Sequence, residues 1–517
     1  MLLLFGAGFV GLGARSMATD QIYQEALVAP TGPSPLSSLL DPSNPISQTV
    51  GALAQPGLMR PGSQGTAVPG LAASWKSSNG GARYSFTLPR DGRWSNGQPI
   101  TTRDVGFTLA VLQSPNFPQS MVAAPWRGIS LYATSFWSGT FVLPAAAPNF
   151  PTTAEVPLLP ASSYHDRPQL FLAGDQRTTA LFPPSAGPFT VAANTPDQVS
   201  LIRNPYFRPV PLLSGFDIDL EPSPAAVDAL LAKGRVDGWL AATPQDLVGL
   251  PSGLVKQRIL SFSFVELLMN EAAGPLSSAG VRRAIAAAVD RGRLIGAGLN
   301  GLAVPEYGPL PQSIGWARAG RSALGPLPST EQSLRALGYQ RPPPLGVFEK
   351  DGQRLSLTIS VPNLEPLPQA AAEIAKMLDV EGFAVTVSVR AAGDFVSSTL
   401  GAENFQLALV GFDNGPDPNL TSFWGSGAPA GQSLNFSQAP VDAVLNHELD
   451  LLATASTVAA KQTAYRAVTL RLAQDMPAIF LYTPVEVYVH LSSVHVPGIP
   501  AGGDPAQRFA DVTGWSL

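Results

Sequence analysis

The 517-residue sequence contains no cysteine and four histidines, at positions 165, 447, 490 and 495, and only 13% of it is charged. Without cysteine there can be no zinc ribbon, iron–sulfur ligand, thiol nucleophile, disulfide staple or lipid-modified Cys of a bacterial lipoprotein. No two histidines have the i, i+4 spacing of a helical metal site, so no metal site is expected. Lys and Arg number 32 against 37 acidic residues, and the net charge of −5 leaves no basic footprint for nucleic acid. The sequence also lacks a G-x-S-x-G elbow, an H-E-x-x-H pair and paired carboxylates in a recognisable loop, so no enzymatic activity is expected. What it has is apolar: 45% of the residues are hydrophobic. That is enough to build roughly two to four domains of ~150 residues without staples.

Met1 to Gly13 reads MLLLFGAGFVGLG, shorter than the ~20 residues a helix needs to cross a bilayer but suited to the apolar region of a signal peptide. Ser16 and Ala18 supply small residues at −3 and −1 for a cut after Ala18, although no Lys or Arg precedes the run. Residues 1–18 are therefore expected to be a signal or an anchor segment, cleaved or retained. The same run holds a formal G-x-G-x-x-G, Gly6 to Gly11. A dinucleotide site also needs a second strand ending in an acidic residue ~20 positions on, and Pro30-Thr31-Gly32-Pro33-Ser34-Pro35 breaks the chain there. No cofactor is expected.

Beyond Ala18, QIYQEALV (21–28) reads as a short strand or a helix end, and a Pro/Ser-rich stretch then reads as loops with apolar anchors as far as about Gly70. Tyr84–Leu88 alternates as a strand before the turn residues of 91–99, and Thr102 or Asp104 can cap a helix reaching Gln113. Residues 139–210 look strand-like and broken by proline. Asp217, Asp219 and Glu221 share one face of an alternating strand and read as a solvated face. A helix is expected from Pro224 to Lys233, then a strand at VDGWLA, and another helix at 279–294. Strand Leu355–Val361, helix Leu367–Leu378 and strand Ala384–Val389 form a β-α-β unit. Gln406–Gly411 has the continuous apolar run of a strand buried on both faces, and 441–452 and 457–474 read as amphipathic helices.

Several blocks occur in a distinctive order. Gly70-Leu71-Ala72-Ala73-Ser74-Trp75, Tyr84–Leu88, Arg93–Thr101 and Asp104-Val105 form the first, and Gly187-Pro188-Phe189 with Arg203–Phe207 the second. Leu267–Asn270, Val281–Ile285, Val289-Asp290-Arg291 and Gly301–Pro311 form the third. Gly411-Phe412-Asp413 with Asp417-Pro418 is the fourth, and Asn435, Val441-Asp442 and Asp475–Ile479 the fifth. In this order the chain, from about residue 20 to 515, resembles the extracytoplasmic solute-binding proteins of family 5, the peptide, dipeptide and nickel binders that serve ABC importers. The resemblance implies an α/β, two-lobe fold of the periplasmic-binding-protein type II kind, with an additional β-rich subdomain at about 70–190 in the N-terminal lobe. That lobe would comprise 19–265 and 480–517, and the C-terminal lobe 266–479. Crossings are expected near Ser263–Asn270 and Ala478–Pro484, both extended and apolar.

The resemblance further implies a monomer outside the cytoplasm that closes on a small ligand, most readily a peptide, and presents it to an ABC permease. A surface receptor or chaperone using the same cleft is the alternative. In dipeptide-binding relatives an Asp in the loop after the buried strand pairs with the ligand's α-amino group, and Asp413, between Phe412 and Asn414, is the match. An Asx turn at Asp413 or Asp417 would suit the same residues. Phe423 and Trp424 can line the apolar part of a cleft or pack a core. Trp239, Tyr307 and Trp316 are secondary candidates, and Arg282 and Arg283 read as surface or inter-helix residues.

Overall fold

The computed structural model describes residues 21–29, 36–42, 44–62, 67–173, 182–241, 245–250, 252–320, 327–344, 346–413, 415, 420–426, 435–499, 503 and 505–517. The N-terminal lobe opens with β1 (Ile22–Val28), so 21–28 is a strand. The Pro/Ser-rich stretch holds a helix, α1 (Pro45–Ala54), besides its loops. Asn44 caps it by accepting from the N–H groups of Ile46 and Ser47, and Pro45 occupies the first turn, where its missing N–H costs nothing. The proline that reads as a breaker is here a helix start.

Strands β2 (Ser74–Ser78) and β3 (Arg83–Thr87) precede α2 (Thr102–Leu112), and β4 (Ser130–Ser135) and β5 (Ser138–Val142) follow it. The four strands form an antiparallel sheet, β2-β3-β5-β4, with its own aromatic core around Tyr84, Phe86, Phe141 and Phe150. The cap of α2 is Thr101, not Thr102 or Asp104. Asp104 instead reaches back from the third helical position, accepting from the N–H of Thr101 at 2.8 Å and of Ala161 at 3.0 Å. The strand character expected over 139–210 is interrupted. Between β5 and Gly187 the described residues form short helical turns at Phe150–Thr153, Ala161–Tyr164 and Pro168–Leu172, each with a proline at or beside its start.

β6 (Phe189–Asn194), β7 (Gln198–Arg203) and β8 (Gly215–Glu221) return the chain to the main sheet, where β8 lies parallel to β1. Helix α3 (Pro224–Ala232), β9 (Gly238–Ala241) and β10 (Leu254–Leu260) complete the lobe's run. Asp217, Asp219 and Glu221 do share one face of β8, half-buried beside an open groove of about 900 Å³. There Gln24 and Gln198 donate to Asp217 and Asp219, and partial burial with the neighbouring carboxylates pushes Asp219 and Glu221 up.

Next come β11 (Ser263–Met269) and α4 (Ala279–Ala288), in the part of the chain expected to form the C-terminal lobe. The helix expected over 279–294 breaks at Val289 and Asp290, both extended. Asp290 then caps a new turn by accepting from the N–H of Arg293. After β12 (Ala303–Pro305) and α5 (Gly315–Gly320) comes the β-α-β unit of β13 (Ser356–Pro362), α6 (Leu367–Val380) and β14 (Ala384–Arg390), with its strands parallel as expected. β15 (Leu407–Asp413) is buried between β13 and β11. Helices α7 (Leu420–Trp424), α8 (Ala443–Thr454) and α9 (Val458–Asp475) lead to β16 (Ala478–Leu491).

One 12-stranded sheet runs through both lobes in the order β14-β13-β15-β11-β16-β9-β1-β8-β7-β6, with β10 and β12 also paired to β16. β16 belongs to both lobes: Ala478 to Tyr482 pair with β11, and Val485 to Leu491 pair with β10. In the C-terminal lobe the period of two along β11 separates two cores. Val265, Leu267 and Met269 face one, and Phe264 and Leu268 face the other.

Candidate ligand cleft

Two extended segments run side by side at the junction between the two runs of the sheet. On β16, Thr483-Pro484 separate the residues paired with β11 from those paired with β10, and Ser261-Phe262 separate β10 from β11. The segments expected to cross, Ser263–Asn270 and Ala478–Pro484, hold β11 and the part of β16 that pairs with it, and they adjoin this junction. It is fastened by backbone and side-chain bonds: the N–H of Ser261 donates to the oxygen of Pro484, and the hydroxyl of Ser313 to the oxygen of Ser261 at 2.8 Å. The lobes meet again at their rims around a cavity of about 200 Å³. One wall is Ala146–Asn149 of the N-terminal lobe, and the other includes Trp316, Leu449 and Lys461 of the C-terminal lobe.

β15 carries its loop toward this crossing, since Asp413 stands opposite Ser263 at the start of β11. The backbone of Asp413 ends the strand. Its side chain, and the whole of Asn414, lie outside the described residues. Phe412 is half-buried, with its ring 6.2 Å from that of Phe264 and 5.3 Å, edge-on, from that of Phe423. The structure thus brings Phe412 and Phe423 together at the end of β15 and adds Phe264. Trp424 points elsewhere: it is 3% exposed, packs edge-on against Phe480 at 5.6 Å, and its buried indole N–H meets no hydrogen-bond acceptor.

Trp239 is buried in the N-terminal core under α3. Trp316 is buried at the rim cavity beneath the Lys461 ammonium. Tyr307 is 55% exposed, with the Arg291 guanidinium over its ring at 4.8 Å. Arg291 caps the edge of β16 by donating through Nε to the oxygens of Phe480 and Glu306. Arg282 is buried and tied to Glu271 and to the oxygens of Leu276, Asp475 and Met476. Among the described residues, no three His, Asp or Glu side chains gather as metal ligands.

Reading the sequence as an apolar crossing overlooks Glu266, the one charged residue between Phe262 and Met269. Alternation sets it between Phe264 and Leu268, 1% exposed, and its Oε2 has no hydrogen-bond partner. Burial, with no charged group acting against it, holds this carboxyl well above the usual carboxylate range. The signal was present in the sequence: a lone acid at a core-facing position of a strand.

The mixed α/β architecture, with one sheet running through two lobes, is that of the periplasmic binding proteins of type II. Residues 66–433 match the profile of the bacterial extracellular solute-binding proteins, family 5 Middle, and the chain belongs to that family. Protein XP55 of Streptomyces lividans is 26% identical over 429 residues, covering 81% of this chain and 77% of that protein. The oligopeptide-binding protein AppA of Bacillus subtilis, solved with a nonapeptide, superposes with a TM-score of 0.73 at 19% identity, over 96% of this chain and 99% of that one. NikZ of Campylobacter jejuni, solved with Ni(L-His), gives 0.74 at 19% identity, over 96% of this chain and 100% of that one. At such identities the likeness to the solved structures is one of fold. Family members are binding proteins rather than enzymes; they act outside the cytoplasm and work with ABC permeases. Among the described residues, no helix is long and apolar enough to cross a membrane.

Proposed function

We propose that this protein captures a peptide between its lobes and hands it to a membrane permease. The observation that carries the reading is the cluster of Phe264, Phe412 and Phe423 at the end of β15, where the loop bearing Asp413 leaves the sheet beside the crossing strands. Aromatic rings there offer apolar contact to side chains of varied shape, and a carboxylate in the loop offers a partner to an α-amino group. The scarcity of histidine and the lack of cysteine favour a peptide over a metal chelate. The lobes would be divided at Ser261-Phe262 and Thr483-Pro484, and closure would bend this pair of strands. The apolar run of residues 1–13, followed by small residues, supports export from the cytoplasm with the segment cleaved or kept as an anchor.

The test is a thermal-shift and calorimetric screen of the chain from residue 19 against di- to pentapeptides, sugars and a nickel–histidine chelate. Stabilisation by peptides, growing with concentration, is expected. A response to the chelate or to sugars alone would overturn the reading. Asp413→Ala should weaken free-amine peptides by about 2–5 kcal/mol, the scale of truncating one partner of a buried charged pair, and leave N-acetylated peptides unaffected.

A further inference from the structure

Glu266 lies on the same face of the sheet as the aromatic cluster, one side chain deeper than Phe264. Across the sheet it stands opposite Val410 of β15 and Phe480 of β16, next to the point where the β11–β16 register shifts. The apolar residues of that layer include Ala408 and Phe412 from β15, Ala478 from β16, and Trp424 from α7. Four titratable or charged groups of the helices above are engaged elsewhere. The Tyr465 hydroxyl of α9 accepts the N–H of Leu310, and Lys461 lies over Trp316. Arg318 of α5 donates to the oxygen of Gln312, and Arg471 of α9 pairs with Asp442.

A carboxyl with an unmet acceptor is expensive in such a layer, and an apolar residue of the same size would fill the space at lower cost. The half-buried rings of Phe412 and Phe423, at the end of β15, have negative faces that attract cations. We infer that Glu266 is a specificity-determining residue of the cleft, accepting a hydrogen bond from an aliphatic ammonium group of the ligand, lysine-like in chemistry, that enters past Phe264, Phe412 and Phe423. This rests on the peptide-capture reading. In the free protein burial favours the neutral form of the carboxyl. When the ammonium arrives the carboxyl ionises and its proton leaves to solvent, so the complex holds fewer protons than its separated parts. Affinity for ammonium-bearing ligands therefore rises with pH above the ordinary carboxylate range, while affinity for neutral ligands does not.

The experiment is calorimetric titration with tri- and tetrapeptides of alanine carrying either lysine or norleucine at each position in turn, in buffers of different ionisation enthalpy. At one position lysine should bind about tenfold or more tightly than norleucine, as expected of a hydrogen bond between charged groups. That binding should release up to about one proton. Glu266→Gln should abolish both the preference and the release and keep norleucine-peptide binding, which also reports correct folding; Glu266→Leu serves the same purpose if the Gln variant folds poorly. Equal affinities at every position, a lysine preference that survives in Glu266→Gln, or binding without proton release would overturn the inference and leave peptide capture standing. If neither series binds, peptide capture falls and the inference with it.

Discussion

Each lobe buries a glutamate in its sheet, and the two are treated in opposite ways. In the N-terminal lobe Glu25, fully buried on β1, accepts from Arg508 Nη2 at 2.7 Å and Nε at 3.2 Å and from the Tyr488 hydroxyl at 2.9 Å. The Tyr23 hydroxyl in turn hydrogen-bonds to that of Tyr488. Gly238 leaves room for the pair, since a Cβ there would collide with both hydroxyls. Burial pushes the Glu25 carboxyl up and Arg508 pulls it down. In the C-terminal lobe Glu266 is buried as deeply and has neither counter-charge nor hydrogen-bond partner for Oε2. The difference separates two uses of a buried carboxyl. A partnered one fixes architecture, here tying β1 and β16 to residues 505–509, whereas an unpartnered one is a standing cost that a ligand can relieve.

The largest effect should come from breaking the partnered site. Arg508→Met leaves Glu25 uncompensated and should destabilise the protein by about 3–5 kcal/mol in denaturant unfolding. A loss no greater than that of an ordinary surface substitution would mean that Glu25 is already neutral. The reverse change in the other lobe should stabilise: Glu266→Leu removes an unmet carboxyl and is expected to gain about 1–3 kcal/mol. A loss of that size would show that Glu266 has a structural partner and would end the contrast.

The smallest effect is the dependence on pH. Folded Glu266 holds its proton where the unfolded chain has lost it, so its stabilising contribution is complete below the ordinary carboxylate range and is lost as pH rises toward the elevated folded value. The slope from this one group is at most about 1.4 kcal/mol per pH unit. Unfolding measured from pH 5 to 8 should show this decline in the native protein and a flatter profile in Glu266→Leu. Identical profiles would mean that Glu266 ionises normally.

The β-α-β unit and β15 were legible in the sequence because period and apolar content act locally, and α6 turns Ala370, Ile374 and Leu378 inward as its spacing requires. The blocks resembling family 5 gave the two-lobe fold. α1 was hidden because proline at a first helical position looks like a break. The break at Val289 was hidden because the Ala- and Arg-rich run before it keeps a helical period. The burial of Trp424 could not be read from a five-residue helix, too short to show a face. Phe412 and Phe423 were legible as neighbours of the loop, but Phe264 joins them only through the β11–β15 register, and Glu266 gains its meaning only once its carboxyl is seen to be buried with no charged group acting on it.

The shared strand also bears on how the chain is made. β16 lies between β9 and β10 in one lobe and against β11 in the other, so neither half of the sheet is complete until residues 478–491 have emerged from the ribosome. Arg508 must follow before Glu25 is compensated. These pairings join residues more than 200 positions apart, as with Val265 and Tyr482, and such distant contacts form slowly. During synthesis, both lobes therefore await the same late segment.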